Sequence, residues 1–244
     1  MEKSGVSARE GAQRESAQRE SAGRAAARWL TIHDELLRGL AHTLSNRIAT
    51  IDAATFMLGL DGADAQGQCA TLRGETERLE ALLRAMRTLP RHGNAAAEPV
   101  MPGDAVQGAL AVQAHHNDLR DVRCDVMIDG DVPPAYAEPL SLQHALLVAI
   151  AAAGHAAGPA GIVLHVSATS DVVRFSVTPR DAPGSNDVVD SARDMADEHV
   201  ADAEAIGWLL AAHGGKAMPV RGGAEFTVPT LAAARRAETS NVER

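Results

Sequence analysis

The sequence predicts an α+β fold: a long helical hairpin that forms a dimeric four-helix bundle, followed by a two-layer α/β sandwich. Three observations carry this expectation. Leu37, Leu40, Leu44, Ile48, Ile51, Thr55 and Leu58 recur at steps of three and four, the stripe of an amphipathic helix. A second stripe, Leu72, Leu79, Leu83 and Met86, follows a Gly/Asp-rich break. Beyond residue 103, strand-like runs alternate with apolar helical stretches, and two strand pairs are joined by short turn segments.

Residues 1–24 contain a five-residue repeat, "REGAQ RESAQ RESAG R", from Arg9 to Arg24. Five matches neither a helix face nor a heptad, so the segment reads as a solvated helix extension or a disordered tail. Residues 25–92 hold the hairpin. "GLDGADAQG" stops its first helix near Leu60, and Pro90 ends its second. Each helix has one stripe to bury, so two hairpins are expected to pair into the bundle and make a homodimer. Residues 93–103 form a linker by composition.

The sandwich is expected over residues 104–231. Asp104 caps a helix running to about Leu119. "CDVMID" is a strand, "DVPPAYAEP" a loop, and Ser141 to Ala157 a buried helix. "IVLHVSA" and "VVRFSVT" form a hairpin around "TSD". "SNDVVDSARDMADEHV" has no clear pattern, "DAEAIGWLLAAHGG" is a helix with a glycine stop, and "KAMPV" and "AEFTVP" form a second hairpin around "RGG". Residues 232–244 read as a C-terminal tail.

Composition narrows the function classes. A net charge of −9 lacks the basic footprint of nucleic-acid binding. An aromatic content of 2% calls for a core of Leu, Val, Ile and Ala. Cys69 and Cys124 have neither metal-ligand spacing nor a disulfide framework. The longest apolar run, Ala145 to Ala153, is far shorter than the roughly 20 residues of a membrane helix. No signal-peptide pattern opens the sequence. A cytoplasmic protein without a membrane segment is expected.

"LAHTLSNRIATI" resembles the H-box of bacterial two-component histidine kinases, where a phospho-accepting histidine is followed four positions on by Thr or Asn. "ETERLEALLRAMRTLPR" resembles the second helix of that family's dimerisation hairpin. "AYAEPLSLQHALLVAIAAAGHAA" resembles the first helix of its ATPase-type domain, and "HGGKAMPVRGGAEFTVP" its closing strands. The resemblance spans roughly residues 30–230. It implies a histidine-kinase ATPase-type sandwich, with departures that make it degenerate. Where the family has asparagines that hold Mg²⁺ and phosphates, this chain has Val148 and Ala152, which offer no oxygen ligand. The adenine-reading Asp-Gly segment is reduced to "TPRDAPG", with Asp181 or Gly184 as its remnant. The glycine-rich lid is reduced to "HVADAEAIG", with only Gly207 left. The chain is therefore most similar to phosphorelay histidine phosphotransferases and pseudokinases, which keep this architecture and bind no nucleotide.

That resemblance implies a phosphoacceptor at His42, exchanging phosphoryl groups with receiver-domain aspartates of response regulators. It implies no cofactor of the chain's own, with Mg²⁺ supplied by the receiver. The residues agree with an accessible histidine: at 100° per residue, position 42 lies about 160° from the apolar stripe. Arg38, Ser45, Asn46 and Ala49 share its outer face. A neutral imidazole is a nucleophile able to form a phosphoramidate. Asn46, one turn on, is the second catalytic candidate, able in the family to orient a water against a phospho-aspartate. Arg38, Thr43 and Ser45 are the expected receiver-docking residues. Thr43 cannot serve as the base that active kinases often place after the histidine.

Two other functions fit the same pattern: an ATP-dependent histidine kinase with a divergent site, and a non-enzymatic dimeric scaffold for response regulators. The remaining candidates read as structural. His33, His115 and His116 are expected at the surface, His144 and His155 partly buried, and His213 at a helix C-cap. Trp29 and Trp208 are expected in packing or at an interface, and Glu75 and Glu77 on a solvated face.

Overall fold

A computed structural model describes residues 3–60, 64–89, 96–180 and 192–242. Helix α1 (Lys3–Leu58) runs for 56 residues, so residues 3–24 continue the hairpin's first helix. Helix α2 (Ala65–Thr88) returns beside it. Asp64 starts α2 as its N-cap, its Oδ1 accepting the Gly67 N–H at 3.0 Å. Short strand β1 (Glu98–Val100) and helix α3 (Pro102–Gln113) follow. Next come β2 (Cys124–Ile128), β3 (Ala135–Ala137) and helix α4 (Pro139–Ala157). The chain continues through β4 (Ile162–Ala168), β5 (Val172–Pro179), α5 (Ala192–Leu210), β6 (Lys216–Val220), β7 (Gly223–Pro229) and α6 (Leu231–Val242).

Five strands form one mixed sheet in the order β2-β4-β5-β7-β6. Only the β2–β4 pair is parallel; the others are antiparallel. The alternation in β4 points Ile162, Leu164 and Val166 inward, matching Val173, Phe175 and Val177 on β5 and Ala224, Phe226 and Val228 on β7. Phe175 and Phe226, opposite each other in the ladder, stack at 4.9 Å. Helix α4 lies over this face. It is long and apolar enough to cross a membrane by length and composition, and 78% of its apolar window is buried inside the fold.

Several expectations need correction. The predicted linker and the predicted "DVPPAYAEP" loop pair with each other, as β1 against β3, because each satisfies the other's backbone groups. Asp104 does not cap its helix but lies in the first turn after the N-cap Met101, and the helix stops at Gln113 rather than Leu119; residues 114, 115 and 117–121 are turns. The predicted C-terminal tail is helical over Leu231–Val242. Asp181 and Gly184 lie outside the described residues.

The largest correction concerns α1. Its buried residues are Ala25, Trp29, Ile32, Leu36 and Leu40, with Ala54 further down. Of the predicted stripe only Leu40 is buried; Leu44, Ile51 and Leu58 are half-buried, and Leu37, Ile48 and Thr55 are exposed. The buried row lies about 70° around the helix from the predicted stripe. The reason is tertiary: α5 and α4 pack against the upper part of α1, so that part turns its core face to the α/β domain.

Candidate functional site

His42 is exposed on α1 below the segment that packs on the α/β domain. Asn46 follows one turn later, and its Nδ2 lies 3.2 Å from His42 Nε2. An amide NH₂ only donates, so in this arrangement Nε2 is the acceptor and the ring proton resides on Nδ1. The Nε2 lone pair is thus directed at the Asn46 amide. Arg38 and Ser45 are exposed on the same side, and the Ser45 hydroxyl donates to the Ala41 carbonyl at 3.0 Å. Thr43 is half-buried and turned about 100° from His42. Its hydroxyl donates to the Gly39 carbonyl at 3.0 Å. The structure therefore brings together His42, Asn46, Arg38 and Ser45, and sets Thr43 apart from them.

On the α2 side, Glu75 reaches α1. Only 2% of Glu75 is exposed, because it packs between Arg47, at 3.3 Å, and Arg78 of its own helix. Burial raises the Glu75 pKa, but the Arg78 hydrogen bond and the charges of Arg47 and Arg78 outweigh that effect and leave it lowered. The expected solvated Glu75 is thus corrected; its neighbour Glu77 is exposed.

Above His42, residues 114–121 of the α/β domain lie against α1. A Cβ on Gly39 would overlap the carbonyl oxygen of His115 and stand 3.4 Å from the backbone nitrogen of Asn117. His116, expected at the surface, is 1% exposed. Its Nδ1 accepts the N–H groups of Asp118 and Leu119, each at 3.2 Å. The ring proton is therefore on Nε2, which donates to Glu35 Oε2 at 3.3 Å. Glu35, His116 and His155 place one possible ligand atom each within 4.8 Å of one another. The proton on His116 Nε2 occupies the lone pair a metal would need, so the arrangement is a hydrogen-bonded bridge between the domains. His115 is half-buried; burial and then the Arg47 charge lower its pKa.

Magnesium and a nucleotide require oxygen ligands, and α4 is the helix expected to supply them. Val148 and Ala152 are alkyl and buried. The polar groups at the start of α4 have other partners. Ser141 donates to Glu138. Gln143 donates to Thr88 Oγ1 and the Gly108 carbonyl, both at 3.2 Å. His144 Nε2 donates to the Thr88 carbonyl at 2.8 Å, and its ring stacks on Trp29 at 4.3 Å. These residues do not fit a magnesium-bound nucleotide; they tie α4 to both hairpin helices.

Helix α5 is also anchored to α1. Arg28 Nε is 2.5 Å from Asp202 Oδ1, with both side chains largely buried. Arg24 pairs with Glu204 at 3.1 Å. Glu35, His116, Arg28 and Asp202 carried no sequence signal, since each reads alone as a surface polar residue. Only the approach permitted by Gly39 and the turn of the buried face reveal them. His33 is half-buried with its ring 5.8 Å from Trp29, His155 is exposed, and Trp208 is half-buried. His213 ends a 3₁₀ turn before Gly214, which takes φ +72° as the helix stop.

No protein-family model matches the sequence, and no curated protein matches it. Among solved structures, the chain is similar to full-length ShkA in complex with AMPPNP, with 18% identity and a TM-score of 0.42, covering 82% of this chain and 47% of ShkA. It therefore spans about half of ShkA's length. It is also similar to a bacterial phosphotransferase, with 15% identity and a TM-score of 0.41, over 81% of this chain and 95% of that one. A third likeness is to the histidine kinase ThkA in complex with the response regulator protein TrrA, with 15% identity and a TM-score of 0.37, over 88% of this chain and 66% of that one.

Proposed function

We propose that this chain is a dimeric histidine phosphotransferase of a two-component phosphorelay, exchanging a phosphoryl group between His42 and receiver-domain aspartates without ATP. One juxtaposition carries the reading. An outward His42, with its Nε2 lone pair directed by Asn46, shares a chain with an α4 whose Val148 and Ala152 are buried alkyl groups. A candidate nucleophile is exposed, and on α4 the two positions expected to hold a nucleotide's magnesium carry no oxygen ligand. The exposed Leu37 and Ile48 and the half-buried Leu44 and Ile51 give the second hairpin of a dimer an apolar face to cover.

In the transfer step, the Nε2 lone pair attacks the phosphorus of a receiver's aspartyl phosphate. The bond from phosphorus to the aspartate oxygen breaks, and its electron pair returns to the carboxylate. The ring is cationic until its Nδ1 proton passes to solvent. The receiver brings Mg²⁺ with it. Asn46 releases Nε2 as the new bond forms and keeps the ring from rotating beforehand. Transfer to a second receiver runs the same exchange in reverse.

The test is incubation with purified receiver domains carrying radiolabelled aspartyl phosphate. Wild type is expected to acquire acid-labile label, and His42→Ala none. Equal labelling of both would remove His42 from the reaction. Label on His42 from labelled ATP alone would instead assign an ATP-dependent kinase with a divergent site. Receiver binding without label would leave the scaffold function.

A further inference from the structure

We infer that β2, the open edge of the α/β domain's sheet, is an interface between two copies of this chain, pairing antiparallel with the β2 of a second copy about a two-fold axis at Val126. This contact is separate from the apolar face of the hairpin and independent of the chemistry at His42.

The two edges of the sheet differ. Strand β6 carries Lys216 and Pro219, a charge and a residue without an N–H, which protect an edge against pairing. Strand β2 has neither. It pairs on one side, with β4. The Ile162 N–H donates to the Arg123 carbonyl at 2.8 Å, and the Asp129 N–H to the Val166 carbonyl at 2.9 Å. The alternation of a parallel ladder therefore turns the backbone groups of Cys124, Val126 and Ile128 to the other side. Among the described residues no strand takes them there. Their side chains lie on the core face, because they stand beside Ile162, Leu164 and Val166. Those three are at most 1% exposed, whereas Val126 is 41% and Ile128 45% exposed. An apolar strip and a row of backbone donors and acceptors thus end at the same edge.

The order of charges selects a second copy and fixes its register. Centred on Val126, the pairing sets Val126 against its own counterpart, Cys124 against Ile128 and Arg123 against Asp129. All three outward-facing residues then exchange hydrogen bonds, and each interface gains two Arg–Asp pairs. Centring on Asp125 sets that carboxylate against its counterpart, and centring on Met127 sets Asp125 against Asp129; like charges disfavour both. Centres at Cys124 or Ile128 carry half of the strand past the end of the other. Arg123 and Asp129 are both exposed. Within the chain Arg123 bonds Asp125, which Arg180 also holds, so the Arg123 guanidinium can turn to the second copy. A single pair of short strands buries little area, so the association is weak, at the low end of specific contacts.

The experiment is sedimentation of the full chain across a concentration series, with each variant compared to wild type at equal concentration. At the top of the series wild type is expected to reach about twice the mass of Val126→Lys, which sets two ammonium groups against each other across the axis. That ratio holds whether or not the hairpins pair. Arg123→Glu and Asp129→Lys each turn two attractive pairs into repulsive ones, and each is expected to weaken the edge association about tenfold. The double variant restores both pairs with their charges exchanged and is expected to return to within about threefold of wild type. A wild type with the mass of Val126→Lys at every concentration overturns the inference. A double variant as weak as the single ones also overturns it, because the charge order would then not be what pairs the strands.

Discussion

The two halves of α1 belong to one unbroken helix, yet different partners cover them. Between Ala25 and Leu40, every fourth or third residue is buried against the α/β domain, and the flanking arginines pair with α5. Below Leu40 the apolar residues Leu44, Ile48 and Ile51 are half-buried or exposed, although the sequence there is no less apolar. The upper half is satisfied within the chain; the lower half is satisfied in the proposed dimer. His42 sits where one regime gives way to the other. The α/β domain ends its contact just above it, so the histidine faces outward while both sides of the site are held.

The largest expected effect falls on the upper half. Trp29→Ala removes the ring that stacks on His144 and fills the space between α1 and α4. A loss of about 3–5 kcal/mol of unfolding free energy is expected, as for a buried aromatic truncated to alanine. Denaturant melts check it. A loss within about 0.5 kcal/mol would mean that the α/β domain does not depend on α1.

A smaller effect, of a different kind, is expected from the lower half. Ile48→Glu places a carboxylate on a face already open in the single chain. The fold of each chain is expected to persist, and dimer dissociation to rise by at least about a hundredfold, because each dimer would bury two unpaired charges. Sedimentation across a concentration series separates the outcomes. A wild type that is monomeric throughout would sink the dimer; a variant that stays dimeric would move the interface to another face.

The comparison also shows what was legible in the sequence. Both hairpin helices, the buried α4 and both β-hairpins of the sheet follow from periodicity, because local pattern and final burial agree there. Periodicity alone points to the wrong face of α1 because two apolar rows, about 70° apart, share the helix. The row at positions 25, 29, 32, 36 and 40 is diluted by alanine and tryptophan, and only the packed α5 shows that it is the core-facing one. The proximity of His42 to Asn46 is legible because four-residue spacing on a helix brings the two side chains together. Glu75 and His116 were not, since burial of a polar group depends on partners distant in sequence: Arg47 for one, Glu35 for the other.

The smallest expected effect is on pH, and it tests whether Arg47 links the hairpin to residues 114–121. Burial, then the Arg47 charge, lowers the His115 pKa from 6.5. As pH falls through about 6.5, the unfolded chain takes up a proton at His115 that the folded chain refuses, and stability declines. The Glu75 pKa is also lowered in the folded state, from 4.5. Its contribution is complete above that value and is lost as pH falls further toward the folded pKa. The two groups have opposite charge types but the same sign of dependence, so acidification weakens the fold in two successive windows. Glu75→Gln is expected to flatten the lower window alone. Arg47→Gln is expected to narrow both without removing either, because Arg47 is the smaller contributor to the shift of each group, after burial for His115 and after Arg78 for Glu75. Thermal melts from neutral to acidic pH provide the measurement. An upper window unchanged in Arg47→Gln would mean that the Arg47 charge does not reach His115 across the junction.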